Sequence, residues 1–332
     1  MLPLPTSGSK LPSMESAALH PASPDTALKE VVLRTEGLTK RFGALTAVDD
    51  LNLEVRRGDI YGLLGLNGAG KTTTIRMIVR LIAPTSGRVL AFGEDVRENS
   101  LAVLNRIGAM VEIPQFYPYL TGKKNLELLY GLSGGTDSAR VDECLALVGL
   151  EDRGGDRVRG YSQGMRQRLG LAQALLTKPE LIILDEPTNG LDPQGIIDIR
   201  QLIQRLNRDF GVTFLISSHL LHEIELTCNR VAIVHHGKLR VQDNVRRMLE
   251  HAKALARVRA EPFEEAEKVF ALRKVHVVGM QDRAFRLKCG PEALVDIAAA
   301  LHAAGCKIWE LTPGRETLEE IFLAETGRKR HA

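Results

Sequence analysis

The chain has 332 residues, a formal net charge of +3 at neutral pH and 44% hydrophobic residues. This length suits one large or two ordinary domains, and the nearly neutral charge does not favour a nucleic-acid partner, so we expect none. The apolar runs are far shorter than the roughly 18 residues of a membrane-spanning helix, so any membrane role should come through a separate protein. Scattered cysteines without a CxxC pair indicate reduced thiols and a cytoplasmic location.

Residues 1–29 are rich in proline, serine and alanine, and no apolar segment is long enough for a secretory signal. We expect a disordered N-terminal extension there. Two strands are predicted after it, at Val31–Glu36 and Leu51–Val55, the second from its alternation of apolar and polar residues. A further strand is predicted between glycines at Gly87–Gly93.

A glycine-rich stretch, Gly65–Thr72, follows the apolar run Ile60–Leu64 and precedes apolar residues at helical spacing. Strand, glycine-rich turn and helix form the context of a phosphate-binding P-loop, because glycines let successive backbone N–H groups curl around an anion at a helix N-terminus. Lys71 would reach the β- and γ-phosphates of a nucleotide, and the Thr72 hydroxyl would hold Mg²⁺. The residues expected to contact the nucleotide are Asn67, Gly68, Ala69, Gly70, Lys71, Thr72 and Thr73.

Residues from about 98 to 178 have a mainly helical pattern, and we expect a helical insert there. After this insert, apolar runs predict strands at Leu181–Asp185, Val212–Ser217 and Val231–Val234. An amphipathic helix is predicted around residues 196–206. Strands that alternate with helices predict a doubly wound parallel sheet, whose ligands lie at the carboxyl ends of the strands.

Two acids and a histidine fall at these strand ends. Asp185 closes its strand and would hold Mg²⁺ together with Thr72. Glu186 comes one residue later and points elsewhere, so we assign it as the general base that activates a water molecule. His219 follows another of the strands and should lie beside the P-loop.

Residues 251–332 read as a second, smaller domain, which leaves residues 30–250 for the larger one. The pattern predicts the order β-α-β-β-α-β, which is typical of a ferredoxin-like α+β domain, followed by a helix at about Thr317–Glu325 and a basic tail. The predicted strands are Leu255–Ala260, Lys274–Val278, Ala284–Lys288 and Lys307–Leu311, and the helices are Glu264–Phe270 and Glu292–Ala304. Because the phosphate-binding and acidic motifs all precede it, we expect this domain to be dispensable for nucleotide binding.

Three further motifs complete the pattern, namely Tyr161–Met165, Asn189–Pro193 and Ser217–His219. Together with the P-loop and the acidic strand end, they resemble the ATP-binding-cassette ATPases over about residues 31–245. The resemblance implies an α/β P-loop NTPase core with an antiparallel β subdomain and a helical insert. It also implies ATP and Mg²⁺ as cofactors.

The resemblance assigns roles that spacing alone does not. Ser162 and Gly164 correspond to the family signature, and Asp192 corresponds to the D-loop. His219 corresponds to the switch histidine, which acts in catalysis beside Glu186 and Lys71. Phe42 corresponds to the aromatic residue that stacks on adenine.

The resemblance also implies an assembly. ATP on the P-loop of one subunit would be covered by Ser162 and Gly164 of a second copy, in a head-to-tail homodimer. Because Glu186 and His219 are both present, we expect symmetric sites. A separate transmembrane permease would be the partner, which places the chain in the cytoplasm, peripheral on the inner face of the cell membrane.

The sequence departs from the family pattern at Leu66, at Gln163 and Met165, and at Glu112, and the departure at Glu112 is the most telling. Glu112 stands where a metal-contacting glutamine is usual, and Gln115, three residues later, is an alternative candidate for this role. We assign Glu112 to catalysis and to Mg²⁺, which prefers oxygen ligands, with its charge offset by the metal or by Lys71. A glutamate here resembles the bacitracin-export and lantibiotic-immunity branch of bacterial exporters, and the segment Thr317–Leu323 resembles the ending of drug-exporter ATPases.

An aromatic cluster follows Glu112, formed by Phe116, Tyr117 and Tyr119. Aromatic residues make up only 5% of the chain, so this is a local excess. Because aromatic anchors dominate interface energetics, we expect the cluster to line a groove for a cytoplasmic helix of the permease. Core packing beneath the helical insert is the competing interpretation.

These expectations define the ATPase subunit of a bacterial exporter, with an antibiotic, peptide, drug or lipid-like substrate. An importer ATPase of the same fold is an alternative, and an extracellular binding protein encoded beside it would favour that reading. A non-transport cassette ATPase of DNA repair or translation is a further alternative, although no long coiled coil or second cassette is visible. Substrate identity, the role of the small domain and pairing with a paralogue stay open.

Overall fold

The computed structural model describes residues 30–250, 252 and 254–326. The predicted N-terminal extension and basic tail lie outside these residues. An antiparallel sheet has the order β2-β1-β5-β6, with β3 also paired to β1. Its strands are β1 (Val31–Phe42), β2 (Leu45–Leu51), β3 (Glu54–Arg56), β5 (Ser86–Ala91) and β6 (Glu94–Asp95). Strands β1, β2 and β3 precede the P-loop in the chain, and β5 and β6 follow it.

The predicted continuous strand Leu51–Val55 is wrong, because β2 ends at Leu51 and β3 begins only at Glu54. The cause is the buried side chain of Thr35 on β1. Its hydroxyl donates to the carbonyl of Leu51 and accepts from the amide of Leu53, both at 2.8 Å. These bonds engage backbone groups on both sides of the interruption.

The central sheet has the order β11-β10-β4-β9-β8-β7. All of its strands run parallel except β11, which pairs antiparallel with β10. The strands are β4 (Ile60–Leu64), β7 (Ile107–Met110), β8 (Leu181–Asp185), β9 (Thr213–Ser218), β10 (Arg230–His235) and β11 (Lys238–Asn244). Alternate residues of β8 enter separate cores on the two faces of this sheet. Ile182 and Leu184 lie in the core on one face, and Leu181 and Ile183 lie in the core on the other. This confirms the doubly wound P-loop fold.

We call the larger domain, residues 30–250, the cassette. Its helices cover both faces of this sheet. They are α1 (Lys71–Ile78), α2 (Ser100–Leu104), α3 (Gly122–Leu132), α4 (Ser138–Leu147), α5 (Gln163–Leu175), α6 (Pro193–Phe210), α7 (Leu221–Thr227) and α8 (Val245–Glu250).

The expected helical insert is interrupted, because β7 lies inside residues 98–178 and forms the edge of the central sheet beside β8. An apolar run of four residues cannot be separated from a helical segment by periodicity, which is why the pattern missed it. Gly108 makes the position possible, since a Cβ there would lie 2.1 Å from the Ala174 carbonyl oxygen of α5. The helices of the insert therefore begin at α3.

The C-terminal unit forms a separate antiparallel sheet of order β13-β14-β12-β15. The packed rings of Phe270 and Phe285, with centroids 5.0 Å apart, lie in its own core. This sheet order confirms the predicted ferredoxin-like arrangement. The elements are β12 (Ala254–Glu261), α9 (Phe263–Leu272), β13 (His276–Gln281), β14 (Ala284–Lys288), α10 (Pro291–Ala303) and β15 (Lys307–Arg315).

The last helix, α11 (Leu318–Thr326), returns to the cassette although the predicted boundary assigned it to the small domain. It packs against α7 and β11, and its Leu318 and Phe322 are buried in the main cassette core. The apolar face of a short helix does not reveal which sheet it covers, so the sequence could not locate this contact. Residues 254–326 are therefore not structurally independent of the cassette.

All four cysteines are free thiols, as predicted. Cys144, Cys228 and Cys306 are buried, and Cys289 is half-buried. Burial raises the pKa of the Cys144 thiol to about 11 and raises that of Cys228 further, so both stay protonated and unreactive near neutral pH.

Replacing Phe322 tests the contact of α11 with the cassette. Phe322→Ala should lower the free energy of unfolding by about 3–5 kcal/mol, because it removes a ring that is 2% exposed and leaves a cavity. Leu272→Ala, at a side chain that is 81% exposed, should change it by less than about 0.5 kcal/mol. Equal denaturation midpoints for the two variants would show that α11 does not stabilise the cassette.

Candidate active site

The P-loop lies between the end of β4 and the start of α1, as the sequence predicts. Gly68 and Gly70 have φ angles of +80° and +103°, which side-chain-bearing residues rarely adopt. A Cβ at Gly70 would also lie 2.5 Å from the Ala47 carbonyl oxygen. No side chain caps the N-terminus of α1, so the first N–H groups of this helix face the loop without a side-chain acceptor. Loop and helix together form an anion-binding nest.

Lys71 places a buried charge at the centre of the site, with only 5% of its surface exposed. Its ammonium donates to the Gly65 carbonyl at 2.7 Å and forms an ion pair with Glu186 Oε1 at 3.1 Å. A buried cation needs such partners, because desolvation without them costs several kcal/mol.

Glu186 joins Lys71 to His219. Its Oε2 lies 2.7 Å from His219 Nδ1, while its Oε1 contacts the lysine. The residue has a left-handed φ of +51°, so its side chain leaves the direction of β8 just after Asp185. The predicted catalytic residues Lys71, Glu186 and His219 thus form one connected cluster.

Ser217 is a residue of the site that sequence reasoning did not single out. Its buried hydroxyl donates to Asp185 Oδ1 and accepts from the Glu186 amide at 3.0 Å. Ser217 stands opposite Asp185 in the β8–β9 ladder, which explains why one hydroxyl reaches both acids. The motif Ser217–His219 was visible in the sequence, but the ladder register that gives its first serine a role was not.

The residues expected to serve a second copy lie on the surface. Ser162 caps α5 by accepting from the Met165 amide at 3.2 Å, and Asp192 caps α6 by accepting from the Gly195 amide at 3.0 Å. Both are exposed. Gly164, in the first turn of α5, is half-buried. Within the described residues, none of the three hydrogen-bonds to the Lys71–Glu186–His219 cluster.

Phe42 ends β1 with 49% of its surface exposed, and the Lys40 ammonium lies 5.1 Å from its ring centroid. An exposed ring with a nearby cation suits stacking on a flat heterocycle.

Glu112 follows β7, whose last residue, Met110, pairs with Leu184 of β8. Its carboxylate pairs with Arg76 on α1, its side chain is 60% exposed, and its φ is +64°. In the described part of the chain it forms no ion pair with Lys71, the cation that was expected to offset its charge. The alternative residue, Gln115, is exposed.

The aromatic cluster divides into two parts. Phe116 packs against the main core, which agrees with the competing core interpretation for that residue. Tyr117 and Tyr119 are 48% and 64% exposed, with ring centroids 5.8 Å apart.

Comparison with known proteins identifies the family of this chain. The sequence profile of the ABC transporter family matches residues 48–189. The bacitracin transport ATP-binding protein BcrA of Bacillus licheniformis is 50% identical over 208 residues, which is 63% of this chain and 68% of that protein. BcrA of Enterococcus faecalis is 37% identical over 297 residues, 89% of this chain and 96% of that protein.

A solved structure agrees with these relatives. It is a dimeric ATP-binding cassette in a post-hydrolysis state, bound to ADP and Pi. It is 26% identical, has a TM-score of 0.58, and the match covers 64% of this chain and 98% of the other. With the sequence match along nearly all of a relative, this shows that the chain belongs to the ABC transporter family, as an ATP-binding subunit that hydrolyses ATP.

Proposed function

We propose that this chain is the ATPase subunit of a bacterial exporter, which moves an antibiotic, peptide, drug or lipid-like substrate through a separate permease. The observation that carries the proposal is the match to a bacitracin transport protein along 96% of its length, because it includes the C-terminal unit as well as the cassette. The Lys71–Glu186–His219 cluster argues against a regulatory subunit without hydrolysis. An importer of the same fold is the remaining alternative.

The residues of the site fit a nucleotide with Mg²⁺. The P-loop amides and Lys71 would hold the phosphates, and Thr72 and Asp185 would hold the metal, with Glu112 as a further oxygen ligand. Bound Mg²⁺ supplies neutralisation of charge on the phosphate oxygens. Ser217 fixes the orientation of Asp185, because a carboxylate with one oxygen hydrogen-bonded presents the other in a defined direction.

Glu186 is the general base in this proposal. Its two oxygens are engaged by Lys71 and His219. A phosphate beside Lys71 competes for the ammonium, which leaves Glu186 Oε1 available to orient a water and accept its proton. His219 then keeps the second oxygen in place.

The proposed dimer is head-to-tail. Within the described residues, no hydrogen bond joins Ser162, Gly164 or Asp192 to the Lys71–Glu186–His219 cluster of the same subunit. Ser162 and Gly164 stand at the N-terminus of α5. A helix N-terminus with exposed N–H groups favours a negative phosphate. A second copy would therefore complete each ATP site with its own α5.

The membrane partner has a candidate contact surface at Tyr117 and Tyr119. In the described part of the chain, no helix is long and apolar enough to cross a bilayer. We therefore assign membrane attachment to the permease, with this subunit peripheral on the inner face. The two exposed rings lie in the loop between β7 and α3, which also carries the proposed metal ligand Glu112.

Transport in inverted vesicles tests the function. Vesicles with the chain and its permease should accumulate a peptide antibiotic such as bacitracin when ATP is added, and Glu186→Gln should abolish this accumulation. Loss of the base should lower ATP turnover about 10²–10⁴-fold while ATP binding persists, which traps a closed dimer. Lys71→Ala should instead weaken ATP binding. Turnover of Glu186→Gln within a few-fold of the parent would refute the base, and uptake that needs an extracellular binding protein would favour the importer.

Ser217→Ala should lower ATP turnover about 10- to 100-fold, the usual cost of removing a side chain that orients metal ligands. Mg²⁺ needed for half-maximal turnover should rise as well, because Asp185 loses the hydroxyl that fixes it. Ser133→Ala, at an exposed serine that ends α3, is the control and should leave both quantities unchanged. A Ser217→Ala enzyme with normal Mg²⁺ dependence would remove Ser217 from the site.

Tyr117→Ala with Tyr119→Ala should reduce co-purification with the permease without lowering the melting temperature, because both rings are largely exposed. Leu132→Ala, at an 81% exposed side chain on α3, is a control for loss of an exposed apolar surface. A large fall in melting temperature for the double variant would instead indicate a core role for these rings.

A further inference from the structure

Arg76 contacts Glu112, the glutamate that stands where the family usually has a glutamine. Its guanidinium pairs with the Glu112 carboxylate. Arg76 lies on α1 four residues after Thr72, so the two side chains share one face of the helix, one turn apart. The ion pair therefore holds Glu112 about one helical turn from the proposed metal-binding hydroxyl.

The opposite end of the same loop is fixed to the helical insert. The side chain of Asn125 on α3 accepts from the Tyr117 amide at 2.8 Å and donates to the Tyr117 carbonyl at 3.1 Å. Asn125 is only 1% exposed, so this anchor is firm. Residues 112–117 thus connect the P-loop helix, through Arg76, to α3, the helix that follows the proposed permease contact.

We propose that Arg76 is the positioning residue for Glu112, holding its carboxylate on α1 and so fixing the 112–117 segment to the P-loop helix. A glutamine could not form this ion pair, because a guanidinium binds a carboxylate through charge-assisted hydrogen bonds that a neutral amide lacks. The pair therefore accounts for a glutamate at this position. Arg76 also competes with Mg²⁺ for the same oxygens, and this second part rests on the proposed function.

The left-handed backbone of Glu112 supports a positioning role. A non-glycine residue with φ of +64° adopts an uncommon conformation, which persists where surrounding contacts determine it. The Arg76 guanidinium is such a contact, and it is supplied by a different element of the fold. If Glu112 changes partner, the segment that ends on α3 loses its attachment to α1.

A double-mutant cycle in the full-length protein tests the positioning role. Without nucleotide or Mg²⁺, Arg76→Gln and Glu112→Gln should each speed hydrogen exchange of the amides between residues 112 and 117 about two- to five-fold, the factor that an exposed ion pair supplies. The double variant should exchange no faster than either single variant. Arg80→Gln, which removes a cation just beyond α1, is the control and should change nothing. The proposal would be overturned if the exchange rate of the double variant rose by the product of the two single effects. It would also be overturned if Arg76→Gln left the exchange rate unchanged.

A Mg²⁺ titration of ATP binding separates this inference from the proposed function. Arg76→Gln should lower the Mg²⁺ concentration for half-maximal binding about two- to five-fold when Glu112 is present, and should not do so in the Glu112→Gln background. The difference between the two backgrounds removes the general effect of losing a positive charge, because Arg76→Gln loses that charge in both. If exchange is coupled but Glu112→Gln leaves the Mg²⁺ requirement unchanged, the positioning role of Arg76 stands and the metal role of Glu112 fails.

Discussion

The active site depends on one buried charge, the ammonium of Lys71. Burying a cation is costly unless carbonyls and a carboxylate surround it, and this chain supplies both from the P-loop and from Glu186. The strand order makes this possible. Because β9 lies between β4 and β8, the P-loop, His219 and Glu186 follow three adjacent strand ends. The central sheet thus brings together groups that are more than a hundred residues apart in sequence.

The same sheet gives two consecutive acids, Asp185 and Glu186, different surroundings. Asp185 remains in the β8 ladder opposite Ser217, whose hydroxyl orients it. Glu186 leaves the ladder through a left-handed backbone conformation and turns toward Lys71 and His219. Ladder register and one unusual φ angle therefore separate the proposed metal ligand from the proposed base, although both side chains are carboxylates.

Sequence patterns predicted those parts of the fold that are encoded locally. The P-loop, the buried strand β8 and the order of elements in the C-terminal unit all have short-range signals, and the structure agrees with them. Contacts between distant elements were not predictable in this way. The edge strand β7 is too short for its periodicity to be diagnostic, and the apolar face of α11 does not reveal which sheet it covers. The pairing of Arg76 with Glu112 depends on how helix α1 and the loop after β7 approach each other in three dimensions.

The return of α11 constrains how the C-terminal unit can move. A module tethered only at its start can swing in any direction on its linker. This one leaves the cassette after α8 and rejoins it through α11, and two contacts brace the junction, Arg315 to the Glu250 carbonyl at 2.8 Å and Arg286 to Glu320. Two attachment points define an axis, so rigid-body motion of the ferredoxin-like sheet reduces to rocking about the line between them. Because α11 packs against α7, which begins two residues after His219, each rocking movement would press on the helix that follows this histidine.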